Sequence, residues 1–259
     1  MAKLIFLGTG GDDIVIGKQM RASGGIALEI DSNLFLLDPG PGTLVRAKQF
    51  GINLRNMTAL LLSNNTIERS NDLNAVISAM THKGLDPKGV LICPKTVVEK
   101  TSEKSSLPSL RTEYNVFLER VISLEKGDKV GINEIDITAI SAKNKEETIG
   151  YRIKSKDVSI VYSSDTDFDK NLIPNYNNAD ILILNVPFPG DSGEIYLNSE
   201  KASDIIRKTS PRITIITSFG IKMLNSDPLY EAREIHKKTG EQIIAATDGL
   251  VINTSNYSG

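Results

Sequence analysis

The chain is expected to fold as an α/β protein in which two sheets are covered by helices, and the rhythm of its 259 residues carries that expectation. The first half runs in short β-rich segments punctuated by Gly, Asp and Asn, whereas the second half alternates buried-strand runs with helical ones. Composition agrees: 40% hydrophobic and 24% charged residues are ordinary for a globular protein. A chain of this length buries enough surface to hold a core without disulfides or structural metal, and one domain over residues 1–259 is expected.

Strand-like runs fall at 3–8, 25–30, 33–37, 59–63, 90–93, 115–124, 135–140, 149–153 and 158–163. The clearest helix of this half begins after Ser70-Asn71-Asp72, a run of good N-caps. It carries Leu73, Val76, Ile77 and Met80 at helical spacing and stops at His82-Lys83-Gly84. Farther on, 179–186 and 213–217 read as buried strands, each followed by a helix, 199–209 and 227–239. Strands at 242–246 and 250–252 close the fold. The Ser-, Lys- and Glu-rich stretch 100–107 reads as a flexible insert, and 255–259 as a frayed tail.

Charge and composition exclude several function classes. With 30 Lys+Arg against 32 Asp+Glu the net charge is -2, which gives no general case for duplex nucleic acid. Aromatic residues make up 5% and tryptophan is missing, so base stacking has little to work with. No apolar run is long enough to span a bilayer, and Met1-Ala2-Lys3 leads straight into a strand-like run rather than a signal peptide. The single cysteine, Cys93, excludes an intramolecular disulfide, and a cytoplasmic location is expected.

Several motifs carry no chemistry alone. Gly8-Thr9-Gly10-Gly11 follows the first strand, but a dinucleotide loop needs glycine where Asp13 stands, so a tight turn is expected. Asp38-Pro39-Gly40-Pro41-Gly42 reads as a rigid turn. No G-x-S-x-G occurs, and Cys93, before Pro94, reads as packing. Asp12, Asp13, Glu68, Asp165 and Asp167 include enough oxygens for a hard cation, but no recognised loop spacing supports such a site and Arg69 lies close to it.

The segment 63–72, between a hydrophobic strand and a well-capped helix, is where an α/β scaffold places a catalytic loop. Its frame, ALLLS followed six residues later by SNDLNAVISAM, resembles the metallo-β-lactamase fold superfamily, whose H-x-H-x-D-H signature occupies those six positions. The phrases LIFLGTGG, LLDPGPGTLVRA, VYSSDTDF, ADILILNV, ITIITSFGIKML and IIAATDGL extend the resemblance over nearly the whole chain. They are most similar to an archaeal branch of small single-domain members related to ribonuclease Z and the phosphodiesterases. The resemblance implies a four-layer αββα sandwich, with the site at the sheet edges.

Family members hold Zn, Mn or Fe ions on histidines and carboxylates and use them to activate water. In this sequence Asn64-Asn65-Thr66-Ile67-Glu68-Arg69 replaces the signature, so Asn64, Thr66 and Arg69 stand at the three histidine positions and Glu68 at the aspartate. Carried over in the same way, later family histidines fall at or beside Asn144, on Tyr196 and on Ser218, leaving Asp165 as the one ligand retained. The chain has two histidines, His82 and His236, and neither falls at a ligand position. Amides and hydroxyls are poor zinc ligands, and Arg69 brings a permanent cation into the ion's place. Arg69 is therefore expected to pair with Asp165 in place of metal; the alternative is that Arg69 turns outward and Asp165 caps a turn.

The resulting expectation is a catalytically inactive pseudoenzyme with no metal or other cofactor and no catalytic residues, serving as a subunit that binds a protein partner or forms homo- or hetero-oligomers. Two alternatives stand beside it. The old cleft, lined by Asn64, Thr66, Glu68, Arg69, Asn144, Asp165, Tyr196 and Ser218, could serve as a metal-free pocket for a small ligand; or a residual phosphodiesterase- or ribonuclease Z-like hydrolase could persist. No membrane association is expected, and contact with RNA rests on analogy alone. Exposed contact candidates are 20–23 and 187–196, the latter carrying Phe188 and Tyr196.

Overall fold

The computed structural model describes residues 2–100, 107–191, 193 and 195–254; most of the expected insert at 100–107 and the whole tail at 255–259 lie outside them. The first half consists of β1 (Ala2–Phe6), α1 (Asp13–Gly17), β2 (Ile26–Ile30), β3 (Asn33–Leu37), α2 (Thr43–Gln49), β4 (Ala59–Leu61), α3 (Ile67–Ser70), α4 (Leu73–Thr81), β5 (Val90–Cys93), α5 (Thr112–Asn115) and β6 (Arg120–Ser123). The second half begins with β7 (Lys129–Ile132), β8 (Ile135–Ser141), β9 (Ile149–Lys154), β10 (Ser159–Tyr162), α6 (Ile173–Tyr176), β11 (Ile181–Asn185) and α7 (Ser199–Thr209). It ends with β12 (Ile213–Thr217), α8 (Ile221–Ser226), α9 (Pro228–Thr239), β13 (Ile243–Ala245) and β14 (Val251–Asn253).

These strands form two mixed seven-stranded sheets, ordered β14-β1-β2-β3-β4-β5-β6 and β13-β12-β11-β10-β9-β8-β7. In each sheet antiparallel strands at one side give way to parallel strands at the other: β3, β4, β5 and β6 run parallel in the first, and β10, β11, β12 and β13 in the second. The β2–β3 hairpin pairs Ile30 with Asn33 and turns through Asp31 and Ser32, both at positive φ (44° and 64°), the turn whose twist matches its strands.

Three apolar layers explain the stacking. Alternate residues of both sheets, among them Leu28, Phe35, Leu61, Ile137, Tyr151 and Ile183, meet in a fully buried inter-sheet core. The opposite face of the first sheet packs on α2 and α4, where Leu73, Val76, Ile77 and Met80 are all 0% exposed. The outer face of the second sheet packs on α6, α7 and α9 through Tyr176, Ile205, Ile206 and Ile235. The order helix, sheet, sheet, helix is the expected four-layer sandwich.

Several elements differ from the sequence expectation. The run 115–124 is a strand only at Arg120–Ser123, because Thr112–Asn115 forms a helical turn and its Tyr114 packs edge-on against Phe117. Strand β7 and helix α2 escaped notice: β7 is a short edge strand with an exposed face, and α2 starts at Gly42, at φ 89°, with no side-chain cap to signal it. Among the described residues, no helix is long and apolar enough to cross a membrane.

Candidate functional site

The loops that leave β1, β3, β4, β10, β11 and β12 gather at one end of the sandwich, outside the carboxyl ends of the parallel strands, where open α/β sheets place their ligands. Three non-glycine residues there have left-handed backbones: Asp38 (φ 50°) after β3, Ser164 (φ 56°) after β10 and Ser218 (φ 58°) after β12. Strain of this kind persists only where the surroundings over-determine it.

Asp165 is the hub. Arg69 Nε donates to its Oδ2 at 2.9 Å and Nη2 to its Oδ1 at 2.5 Å, a two-pronged pair on a guanidinium only 7% exposed. Asn185 Nδ2 donates to Oδ1 at 2.9 Å and Asn64 Nδ2 to Oδ2 at 3.2 Å. Burial alone would push the Asp165 carboxyl up, but the Arg69 charge and these hydrogen bonds outweigh it and hold the group below the usual carboxylate range. Arg69 Nη2 also donates to Ser218 Oγ at 3.2 Å, and Asn144 Nδ2 donates to the Asp165 carbonyl at 3.0 Å.

Beneath this pair lies a second carboxylate that sequence reasoning had dismissed as part of a turn. Asp38, wholly buried, accepts from the Ser63 amide at 2.7 Å, Ser63 Oγ at 2.8 Å and the Tyr162 hydroxyl at 2.7 Å. Burial pushes its carboxyl above the usual carboxylate range; the Arg69 charge and the Tyr162 and Ser63 hydrogen bonds offset that only in part. Arg69 thus serves two carboxylates, and the surrounding negative charge favours its cationic form despite burial. Asn185, with an Oδ1 that has no hydrogen-bond partner among the described residues, lines a cavity of about 10 Å³ together with Asp38, Arg69, Tyr162 and Ser218.

Above the pair opens a cleft of about 230 Å³. Thr66, Glu68, Asn144, Asp165 and Tyr196 line it, as expected, joined by Asp12, Asp13, Glu146 and Phe188. The eight residues named from the sequence are brought together here: Asn64, Arg69, Asp165 and Ser218 in the floor, and Thr66, Glu68, Asn144 and Tyr196 in the walls. Asp12 bonds the amides of Val15 and Ile221 and so ties α1 to α8. Glu68 lies against the Asp13 carboxyl; burial first, and that neighbouring carboxyl second, push the Glu68 group above its ordinary value. Phe188 and Tyr196 stand with ring centroids 6.4 Å apart in the cleft lining, while Ile195 and Tyr196 keep the exposure expected of their loop.

Other expected candidates fall elsewhere. Asp167 is held by Lys201 at 2.6 Å and Lys143 at 3.4 Å and stands outside the cleft lining. Cys93 is buried and burial pushes its thiol up to about 12, which makes it inert. His82 sits at the left-handed end of α4, and His236 Nδ1 on α9 meets the Glu241 carbonyl. Asp38 could have been found by its place at the end of β3, beside the other site loops; nothing in the local sequence marks Tyr162 or Asn185.

The site depends on close backbone approach. A Cβ on Gly40 would lie 2.1 Å from the Glu68 carbonyl oxygen and 2.4 Å from that of Ser23. Gly40→Ala is expected to displace the loop that carries Arg69 and to cost about 1–3 kcal/mol of stability in denaturant titration. A loss below about 0.5 kcal/mol would mean that the loop yields without strain.

Comparison with known proteins follows the same lines. Residues 33–219 match the β-lactamase superfamily domain. An uncharacterised protein of Methanocaldococcus jannaschii is 30% identical over 258 residues, 98% of this chain and 96% of that one. The chain belongs to the metallo-β-lactamase superfamily. Ribonuclease Z of Picrophilus torridus is 24% identical over 172 residues, 65% of this chain and 54% of its own. The metallo-β-lactamase fold protein YhfI of Bacillus subtilis superposes with a TM-score of 0.79 at 16% identity, covering 97% of this chain and 98% of its own.

The donors present do not fit the metal this family implies. Both oxygens of Asp165 are engaged by Arg69, Asn185 and Asn64, and the guanidinium takes the place of any cation beside that carboxylate. Among the described residues, no group of three or more His, Cys, Asp or Glu side chains is arranged to hold an ion.

Proposed function

We infer that the protein is a metal-free member of its superfamily that has exchanged hydrolysis for binding, and that it acts as a subunit recognising a protein partner. The observation that carries this reading is the Arg69–Asp165 fork. A fixed internal cation satisfies the one carboxylate matching a family ligand, and it stabilises the scaffold without supplying an open coordination position or an activated water. RNA, which the name of the Picrophilus torridus relative suggests for that protein, finds little support here in a net charge of -2 and an aromatic content of 5%. A second reading, a metal-free pocket for a small ligand, is favoured by the cleft of about 230 Å³, in which carboxylates and an amide stand beside two aromatic rings.

The first test is metal content. Untagged protein incubated with Zn, Mn and Fe(II), desalted and measured by elemental mass spectrometry is expected to retain less than about 0.1 ion per chain. Retention of about one or two ions per chain would overturn the reading and call for a screen of phosphodiesterase and lactone substrates.

A further inference from the structure

We propose that the mouth of the cleft docks a protein partner by taking one lysine or arginine side chain of that partner between its carboxylates, while flanking apolar residues of the partner cover the rim. The proposal rests on the metal-free reading, since a resident metal would oppose an incoming cation.

Two features of the mouth are joined in this inference. The first is an exposed apolar rim. Ile14 (50% exposed) adjoins the lining residue Asp13, Ile67 (68%) lies between Thr66 and Glu68, and Ile195 (50%) precedes Tyr196. Three exposed isoleucines, each next in sequence to a residue of the cleft lining and carried on three separate segments, are what a contact surface presents. They come from α1, the α3 turn and the loop after β11.

The second feature selects the occupant. Asp12, Asp13, Glu68 and Glu146 line the cleft walls, where no lysine or arginine stands among the described residues; Arg69 lies in the floor, paired with Asp165. The floor pair is internally neutral, because Asp165 is matched by Arg69, so the wall carboxylates set the sign of the opening. The Tyr196 phenol faces that field: burial pushes it to a weaker acid, and the charges of Asp165, Glu68 and Glu146 add to the shift while Arg69 offsets part of it. Its ring and that of Phe188 form one wall, a face suited to an ammonium or guanidinium group. Lys222 already stands 5.5 Å from the Phe188 centroid, the same contact made within the chain. A free amine would fill the cleft and leave the three isoleucines in water, whereas a peptide uses both features.

The probe is a fluorescein-labelled heptapeptide library with a central arginine or lysine flanked by varied apolar residues, read by fluorescence anisotropy against the full chain. The tightest member is expected to lose at least about tenfold in affinity when citrulline or norleucine replaces the central residue. Asp13→Asn with Glu68→Gln should weaken it similarly, and Ile67→Ser with Ile195→Ser should weaken the peptide while leaving arginine methyl ester binding unchanged. Far-UV circular dichroism on each variant keeps loss of fold separate from loss of contact.

Equal affinity for arginine methyl ester and peptide, with no effect of the isoleucine substitutions, would assign the cleft to a free small cation and overturn docking. Failure of every library member to bind would overturn it as well. Metal content on the same preparation separates the two levels: non-binding, metal-free protein sinks only this proposal, whereas non-binding protein loaded with metal sinks the metal-free reading beneath it.

Discussion

Arg69→Ala is expected to destabilise the protein by about 3 kcal/mol at pH 7, because it leaves Asp165 without its paired cation and removes the charge that offsets the burial of Asp38. The low end of the range for broken buried pairs applies, since the Asp165 side chain keeps 22% of its surface open to the cleft and water can enter the space vacated. For a protein of this size that corresponds to a fall in Tm of roughly 6–12 °C. The double variant Arg69→Ala with Asp165→Asn should recover part of the loss, since the amide needs no cation, and the shortfall measures what Asp38 still pays in isolation. A melting shift near zero for the single variant would mean that the pair contributes nothing.

The same variant has a distinctive pH signature. In the native protein Asp165 is held below its unfolded value, so its stabilisation is fully present above about pH 4 and is lost as pH falls through the lower folded value. Asp38 has the opposite sign: its folded value is raised, so its contribution weakens as pH rises from the unfolded toward the folded value. Without Arg69 both carboxylates gain affinity for protons, and acid relieves the damage. The stability difference between native and Arg69→Ala protein should therefore shrink from pH 7 toward pH 4. A difference independent of pH would place the loss in packing rather than charge.

Tyr151→Ala is expected to cost about 3–5 kcal/mol, the range for deleting a buried aromatic ring. The ring is 0% exposed in the inter-sheet core on β9, and its hydroxyl reaches across to the Leu62 carbonyl and, at 3.2 Å, to that of Ile92, at the ends of β4 and β5. One side chain thus ties the second sheet to the strand end from which Ser63 and Asn64 enter the site. Tyr151→Phe keeps the ring and deletes the bond, so about 1–3 kcal/mol is expected, with chemical denaturation as the readout. Equal losses for Phe and Ala would show that the cross-sheet bond, and not the ring, holds the two layers together.

The layered architecture was legible because it rests on local patterns. Helical spacing in 73–81, the continuous apolar runs of β11 and β12, and the Asn198 cap of α7, accepting from the Lys201 amide at 2.9 Å, are all settled within one element. Elements whose stability comes from neighbours were not legible: β7 is an edge strand that pairs only with β8, and α2 has no capping side chain.

At the site the division is the same. Sequence alone determined which residue types occupy the degenerate positions, and hence that a lone carboxylate and a new cation had to be reconciled; the Arg69–Asp165 pair follows from that chemistry. Tertiary structure decided the rest: that Asp38, 127 positions before Asp165 in sequence, lies within the field of the same guanidinium, that Tyr162 and Asn185 link the two carboxylates, and that exposed isoleucines adjoin lining residues on three separate segments. The physical reason is range. Pairing between opposite charges can be inferred from their identity, but the burial that sets its strength, and the company it keeps, exist only once distant strand ends have been brought together by the packing of two sheets.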